Sequence, residues 1–212
     1  MPERLTNVYI DAFNLYYRAL RGTPFKWLDL EKLCHHILPQ GYQLNRIRYF
    51  TARVKSRPSD PQQAQRQQAY LRAIQTLPSV EIQFGRFLSS QIRMPLANQQ
   101  PGGARTVEVI KTEEKGSDVN LATFLLCDAY EGKFEAAAVI SNDTDLVLPV
   151  KLVQDKLSLQ VGVISPERRK ASRSLVRVAS FYSKIRPGSL QASQLPTTLR
   201  DQHGTIHKPA KW

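Results

Sequence analysis

Acidic residues in this sequence stand where an α/β chain collects its functional groups. Asp11 directly follows a short β-prone run, and Asp118 opens the clearest amphipathic helix of the chain. Asp143 and Asp145 follow the most apolar short run. The carboxyl ends of parallel strands meet at one edge of a sheet, and ligands bind there near the point where the strand order reverses. If the two strands are neighbours, Asp11, Asp143 and Asp145 converge.

A group of carboxylates in one pocket indicates a bound cation. Because like charges repel, the carboxylates would otherwise take up protons. Oxygen ligands of this kind suit Mg²⁺ or Mn²⁺. Such an ion polarises a phosphoryl oxygen and helps to activate water, and a second ion about 4 Å away would also stabilise the leaving oxygen. The pattern therefore favours phosphodiester hydrolysis with one or two divalent ions.

Each aspartate also has a purely structural interpretation. Asp118 can be an early helical carboxylate that the helix dipole favours. Asp11, Asp143 or Asp145 can each be the N-cap of a following helix. The combination favours a functional site, because three separate segments place acids at strand or helix ends on what should be one edge.

Three sequence blocks, in order along the chain, carry a resemblance to a known family. They are Tyr9–Leu15, which reads YIDAFNL, Glu114–Val119, which reads EKGSDV, and Ile140–Leu146, which reads ISNDTDL. The first is similar to a D-G-x-N element, the second to K-G-x-D-V and the third to S-x-D-x-D. By these blocks the chain resembles the NYN group of PIN-like nucleases, which includes the LabA-like bacterial proteins, over roughly Val8 to Ile164.

The resemblance implies a PIN-like fold and a set of site residues. The catalytic acids that it implies, which would also hold Mg²⁺ or Mn²⁺, are Asp11, Asp118, Asp143 and Asp145. It further implies that Asn14 and Ser141 support the site. This is chemically reasonable, because an amide or a hydroxyl can orient a carboxylate or a bound water.

One position departs from the family pattern, and three others have open roles. Ala12 stands where the family usually has glycine, so the pocket is slightly altered if that glycine allows close backbone approach. Lys115 either contacts substrate phosphate, offsets the acids, or is a solvated loop lysine. Glu113 and Glu114 are expected at the surface, and Glu114 is the better candidate ligand of the two.

The charge of the chain favours a polyanionic partner. The formal net charge is +12, and such an excess attracts nucleic acid. The candidate contacts are Arg53, Lys55, Arg57, Arg168 and Arg169 for phosphates and Tyr16 for unpaired bases. Phosphate contacts give affinity without sequence selectivity, and stacking on aromatic side chains is typical of single-stranded RNA. A solvated basic face and a tyrosine in the core are the alternatives.

The elements that must position these residues alternate between strand and helix. Strands are predicted over 7–10, 45–54, 80–88, 136–140 and 158–164, and helices over 14–20, 28–38, 62–77, 117–130, 146–154 and 172–182. Residues 89–103 are predicted as a loop or the bend of an irregular hairpin, with 105–111 as its returning strand. The alternation favours an α/β three-layer sandwich with a mainly parallel central sheet.

The sequence predicts one domain over 1–186 and a flexible C-terminal tail over 187–212. The tail is rich in Pro, Gly, Ser, Gln and Thr and poor in apolar residues, so it is expected to be poorly ordered or to lie on the surface. The first residues lack the layout of a signal peptide, and no apolar run has the length of a membrane span, which predicts a cytoplasmic protein. The oligomeric state stays open, a homodimer included.

Metal-dependent hydrolysis of RNA, expected to be single-stranded, is the function that these patterns favour. A PIN-like module that binds RNA or a protein without cutting is the first alternative. A metal-dependent hydrolase of another phosphoryl substrate is the second. The third is a small-molecule monooxygenase for a pyridine derivative, as some members of the resembled family are labelled. It would need a cofactor site, and the sequence has neither GxGxxG after a strand nor a P-loop.

Overall fold

Strands and helices alternate along the chain as the sequence predicts. The computed structural model describes residues 3–98, 102–166 and 171–212. The strands are β1 (Arg4–Asp11), β2 (Tyr42–Thr51), β3 (Val80–Phe84), β4 (Arg86–Pro95), β5 (Thr106–Lys115), β6 (Ala136–Ile140), β7 (Gln160–Ser165), β8 (Tyr182–Lys184), β9 (Thr198–Asp201) and β10 (Gly204–His207). The helices are α1 (Ala12–Leu15), α2 (Leu30–Ile37), α3 (Gln63–Ile74), α4 (Ser117–Tyr130), α5 (Val147–Leu157), α6 (Arg173–Val178) and α7 (Pro187–Ala192).

Six of these strands form one central sheet in the order β3-β2-β1-β6-β7-β8. Every neighbouring pair in it is parallel. The chain runs outward from β1 to β3, returns to place β6 beside β1, and then runs outward again. The strand order therefore reverses between β1 and β6, where Ile10 lies opposite Ile140. Asp11 and the residues after Ile140 follow at the same edge of the sheet.

Helices cover both faces of this sheet, which confirms the predicted three-layer sandwich. Side chains alternate between the faces of a strand. Val8 and Ile10 accordingly pack into the core beneath α2 and α3, whereas Tyr9 packs into the core beneath α4 and α5. All five residues of β6 are buried, as expected for a central strand that is covered on both faces. None of the helices in the described ranges is long and apolar enough to cross a membrane.

The predicted strand over 80–88 is two strands that belong to different sheets. β3 ends at Phe84, and β4 leaves the central sheet after Gly85 to pair with β5 as an antiparallel ribbon. A Cβ atom at Gly85 would lie 2.8 Å from the Lys115 carbonyl oxygen. Glycine therefore allows the chain just before β4 to pass close to the last residue of β5. The predicted hairpin is therefore present, and both of its strands are longer than the sequence indicates.

The C-terminal segment is folded rather than flexible, which corrects the prediction for 187–212. It forms α7 and the β9–β10 hairpin, and Leu190, Leu195 and Ile206 are buried in the core beneath α2 and α3. Trp212 lies edge-on to Trp27, with ring centroids 6.3 Å apart. Composition suggested disorder because apolar residues are few here, but the few large ones all pack against the same face of the domain.

Candidate active site

Hydrogen bonds hold the Asp11 carboxylate at the carboxyl end of β1. As the N-cap of α1 its carboxylate accepts from the Asn14 backbone N–H at 2.9 Å, and the Ser141 hydroxyl donates to its other oxygen at 3.0 Å. The side chain is almost fully buried. Burial raises the pKa of Asp11, and the hydrogen bonds from Asn14 and Ser141 oppose that rise by stabilising the carboxylate.

The loop after β6 is tied to the start of α1. The Asn142 backbone N–H donates to the Asn14 amide oxygen at 3.1 Å. The Asp143 backbone N–H donates to the Ser141 hydroxyl at 3.1 Å, and this same hydroxyl donates to Asp11. Asn14 and Ser141 thus link two segments that are distant in sequence, as a supporting role would require.

Asp118 enters the site from the first turn of α4. The turn that precedes it needs Gly116, whose φ of 103° lies in the left-handed region. Glu114 caps the helix, because its carboxylate accepts from the Ser117 backbone N–H at 3.1 Å and from the Ser117 hydroxyl at 2.7 Å. Burial, which is the largest cause, and repulsion from Asp11, Asp143 and Glu114 together raise the pKa of Asp118 to about 6.

A cleft of about 750 Å³ opens at this edge of the sheet. Its acidic lining residues are Asp11, Asp118, Asp143 and Glu114. Asp145 does not line it: this aspartate is exposed on the turn Thr144–Leu146, where its backbone N–H donates to Asp143 at 3.0 Å. The structure therefore brings three of the four predicted acids to one cleft and places the fourth next to it.

The donor set of the cleft suits a hydrated divalent cation. Carboxylate oxygens are hard ligands, and a cation would offset the repulsion from neighbouring carboxylates that, after burial, contributes to the raised pKa of Asp118. Among residues 3–98, 102–166 and 171–212, no three His, Cys, Asp or Glu side chains converge closely enough to hold a metal by themselves. Mg²⁺ usually takes one or two carboxylates and keeps several waters, so a complete protein cage is not needed.

The predicted nucleic-acid contacts fall in different places. Lys55 and Arg57 line the cleft from the loop after β2. Arg53 instead stacks over the Phe84 ring, with its guanidinium 4.6 Å from the ring centroid. Tyr16 packs partly buried against the core, and its neighbour Tyr17 lines the cleft with half of its surface exposed.

Of the three remaining predicted residues, the structure describes Lys115, which is outside the cleft lining. Arg168 and Arg169 lie outside the described residues. Lys115 is exposed and pairs with Glu113 at 3.5 Å. Because side chains alternate along β5, Lys115 points to the ribbon face opposite to that of Glu114.

Sequence reasoning missed most of the wall that the ribbon contributes. Phe87, Ser89, Ile110 and Thr112 line the cleft together with Glu114. Their shared signal is the period-two alternation along both strands, which places them on one face. That signal indicates a common face but does not reveal which face of the ribbon turns toward the acids.

Comparisons with known proteins agree with this fold. The 6-hydroxy-3-succinoylpyridine 3-monooxygenase HspA of Pseudomonas putida is 31% identical over an alignment of 236 positions, which covers 98% of this chain and 75% of the relative. A protein of unknown function from Vibrio parahaemolyticus has a similar structure, with a TM-score of 0.55 at 18% identity, covering 91% of this chain and 97% of that one. The NYN domain matches residues 5–186. This chain therefore belongs to the NYN domain family and has its PIN-like nuclease fold.

Proposed function

We propose that this protein is a metal-dependent ribonuclease. The observation that carries the proposal is that Asp11, Asp118 and Asp143, from three distant segments, face one cleft where the strand order reverses. Membership of the NYN family supports it, because the fold is that of PIN-like nucleases. The net charge of +12 supports a polyanionic substrate over a neutral one.

In this proposal Asp11, Asp118 and Asp143 would hold one or two ions of Mg²⁺ or Mn²⁺, partly through bound waters, and Asp145 would act from the adjacent turn. A divalent ion bound there would polarise a phosphoryl oxygen and lower the pKa of a nearby water. Ser141 and Asn14 keep the acids in place, because their hydrogen bonds join the ends of β1 and β6.

Positive side chains at the same cleft would hold the RNA backbone. Arg18, Lys55 and Arg57 line it beside the acids. Phosphate contacts of this kind give affinity that depends on salt and not on sequence. Attack of water on phosphorus and departure of the 3′-oxygen would leave a 5′-phosphate on the downstream product.

The test is cleavage of single-stranded RNA by Asp143→Asn. The amide keeps an oxygen that can accept the hydrogen bond from Asp145 but removes the negative charge, so the fold is expected to persist. We expect cleavage in Mg²⁺ or Mn²⁺ by the unchanged protein, loss of at least about 100-fold in the variant, and 5′-phosphate ends that ligation detects. The matched control is Asp155→Asn, an exposed aspartate on α5.

Three results would contradict the proposal. Equal cleavage by the unchanged protein and Asp143→Asn would show that another nuclease contaminates the preparation. RNA binding without cleavage and without affinity for divalent ions, measured by calorimetric titration, would instead make the domain a binding module. Cleavage of phosphomonoesters alone would assign the same acids to another phosphoryl substrate.

A second candidate function rests on the similarity to the 6-hydroxy-3-succinoylpyridine 3-monooxygenase, which spans nearly the whole chain. The aromatic residues Phe13 and Phe87 meet edge-to-face in the cleft, with ring centroids 5.7 Å apart, and could pack against a pyridine ring. Oxygen uptake with 6-hydroxy-3-succinoylpyridine and an added two-electron donor such as a reduced nicotinamide, together with flavin absorbance of the purified protein, would support this function. The absence of both, together with metal-dependent RNA cleavage, would exclude it.

A further inference from the structure

The ribbon formed by β4 and β5 has an inner face that closes one side of the cleft. Side-chain alternation and the ribbon register put Phe87, Ser89, Ile110 and Thr112 on this face. Ile110, which lines the cleft, is the most exposed large apolar side chain of the described residues, with 79% of its surface exposed. Together with Phe13, Tyr17 and Phe87, which line the same cleft, it gives the cleft an apolar surface against which a ligand can pack.

The base of the ribbon is held close to the acids. The Gly85 backbone N–H donates to the Thr51 carbonyl at 2.7 Å, which joins the ribbon to the end of β2. Phe87 packs edge-on against Phe13 of α1, the helix that begins directly after Asp11. Glu114, which lies opposite Phe87 at the same end of the ribbon, caps α4 beside Asp118. The inner face therefore has a fixed position relative to the acids.

The positive charges of the cleft come from other segments. Lys55 and Arg57 belong to the loop after β2, whose start is held by Gln67 of α3. The Gln67 amide accepts from the Val54 backbone N–H at 2.8 Å and donates to the Ala52 carbonyl at 2.9 Å. The cleft thus combines a positive side, an acidic floor and a side with apolar and hydroxyl groups.

We propose that the inner face of the ribbon contacts the bases of RNA and selects unpaired strands, while Lys55 and Arg57 contact the phosphates. A base offers an apolar face only where it is unpaired, whereas a duplex presents mainly phosphates and sugars. A side chain such as Ile110 therefore gains contact area with a single strand and none with a duplex. This inference rests on the proposed function and specifies how its substrate is recognised.

The test compares the same substitution on the two faces of the ribbon. Ile110→Asn introduces an amide on the inner face, and Val107→Asn introduces it on the outer face without a change of charge. Both are made in an Asp143→Asn background, which keeps RNA uncut. Binding is measured by fluorescence anisotropy with a labelled single strand of about 12 nucleotides and a blunt duplex of equal length.

We expect Ile110→Asn to weaken binding of the single strand about fivefold or more. Binding of the duplex by this variant, and binding of both ligands by Val107→Asn, should stay within about twofold of the parent. The salt dependence separates the two kinds of contact. Arg57→Gln should reduce the slope of log affinity against log salt by about 0.7, because one phosphate contact is lost, whereas Ile110→Asn should leave the slope unchanged.

Several outcomes would overturn the inference. One is unchanged single-strand binding by Ile110→Asn, and another is an equal loss for Ile110→Asn and Val107→Asn. A loss of 6-hydroxy-3-succinoylpyridine binding with RNA binding unchanged would assign the face to a small molecule instead. Failure of the nuclease proposal alone would give a different pair of results. The unmutated protein would not cleave RNA, but Ile110→Asn would still weaken binding of single-stranded RNA.

Discussion

At the scale of the residue, the charge of Asp118 in the acidic cleft lowers the stability of the metal-free fold. Burial and the neighbouring carboxylates raise its pKa from 3.8 to about 6. Between these two values the folded protein binds the proton more tightly than the unfolded chain does. The free energy of unfolding therefore falls as the pH rises through this window, and at pH 7 the charged Asp118 destabilises the metal-free protein.

Removal of that charge should stabilise the metal-free protein. We expect Asp118→Asn in EDTA to raise the free energy of unfolding at pH 7 by about 1–2 kcal/mol, less than the full pKa shift implies because the side chain keeps contact with solvent. Near pH 4 the difference in the free energy of unfolding between Asp118→Asn and the unchanged protein should largely vanish. The control Asp155→Asn should show no such difference at either pH. Urea unfolding at both pH values measures this, and a less stable Asp118→Asn at pH 7 would contradict the prediction.

At the scale of the element, a buried ion pair fixes α4 on the sheet. The Arg48 guanidinium on β2 donates to both oxygens of Asp128 on α4, at 2.6 and 2.9 Å, and the Tyr9 hydroxyl donates to Asp128 at 2.8 Å. Phe124 of the same helix lies beneath the guanidinium, 4.5 Å from the ring centroid. Because Asp118 opens α4, the direction of the helix determines where that acid lies.

Loss of one partner should cost far more inside the protein than at its surface. Asp128→Asn leaves Arg48 without its buried counter-charge and should lower the free energy of unfolding by about 3–5 kcal/mol. Glu81 also pairs with Arg48, at 2.7 Å, but 42% of its side chain is exposed. Glu81→Gln should therefore cost at most about 1 kcal/mol. Equal effects in denaturant titration would show that the buried pair does not hold the helix.

At the scale of the whole molecule, the C-terminal segment completes the domain beyond the NYN match, which ends at residue 186. The Trp27 indole N–H donates to the Pro196 carbonyl at 2.7 Å, and the Leu195 N–H donates to the Trp27 carbonyl at 3.0 Å. Arg72 of α3 forms two hydrogen bonds with Asp201, at 2.9 and 2.6 Å. The segment thus covers α2 and α3 on the sheet face opposite to α4.

Deletion of residues 187–212 should destabilise the entire fold. Burial of Leu190, Leu195 and Ile206 contributes about 1.5–3 kcal/mol each to the free energy of unfolding. The deletion should therefore lower that free energy by more than about 4 kcal/mol. Trp27, fully buried in the intact protein, should show red-shifted fluorescence. Trp212→Ala leaves the chain its full length and should lower the free energy of unfolding by about 1–3 kcal/mol, which lowers the melting temperature by several degrees. An unchanged melting temperature in both variants would contradict a structural role.

The sequence by itself determined the alternation of elements, the parallel three-layer architecture and the acids at strand ends. These features follow from local patterns, because the spacing of apolar residues in strands and helices, and the position of a residue at the end of an element, depend only on neighbouring residues. The extents of β6 and α4 were predicted correctly for this reason. Placement of Asp11 and Asp143 at one edge needed only that their strands be parallel neighbours.

Only the tertiary structure decided which surfaces meet. The turn at Gly85 sends the ribbon to the cleft, so Ile110 joins the site while Lys115 points away from it. Packing put Tyr16 against the core and Tyr17 in the cleft. A polar C-terminal segment folded because its few large apolar side chains had one matching face to cover. Such contacts join residues far apart in sequence, and their free energy depends on the shape of both partners, which no local pattern contains.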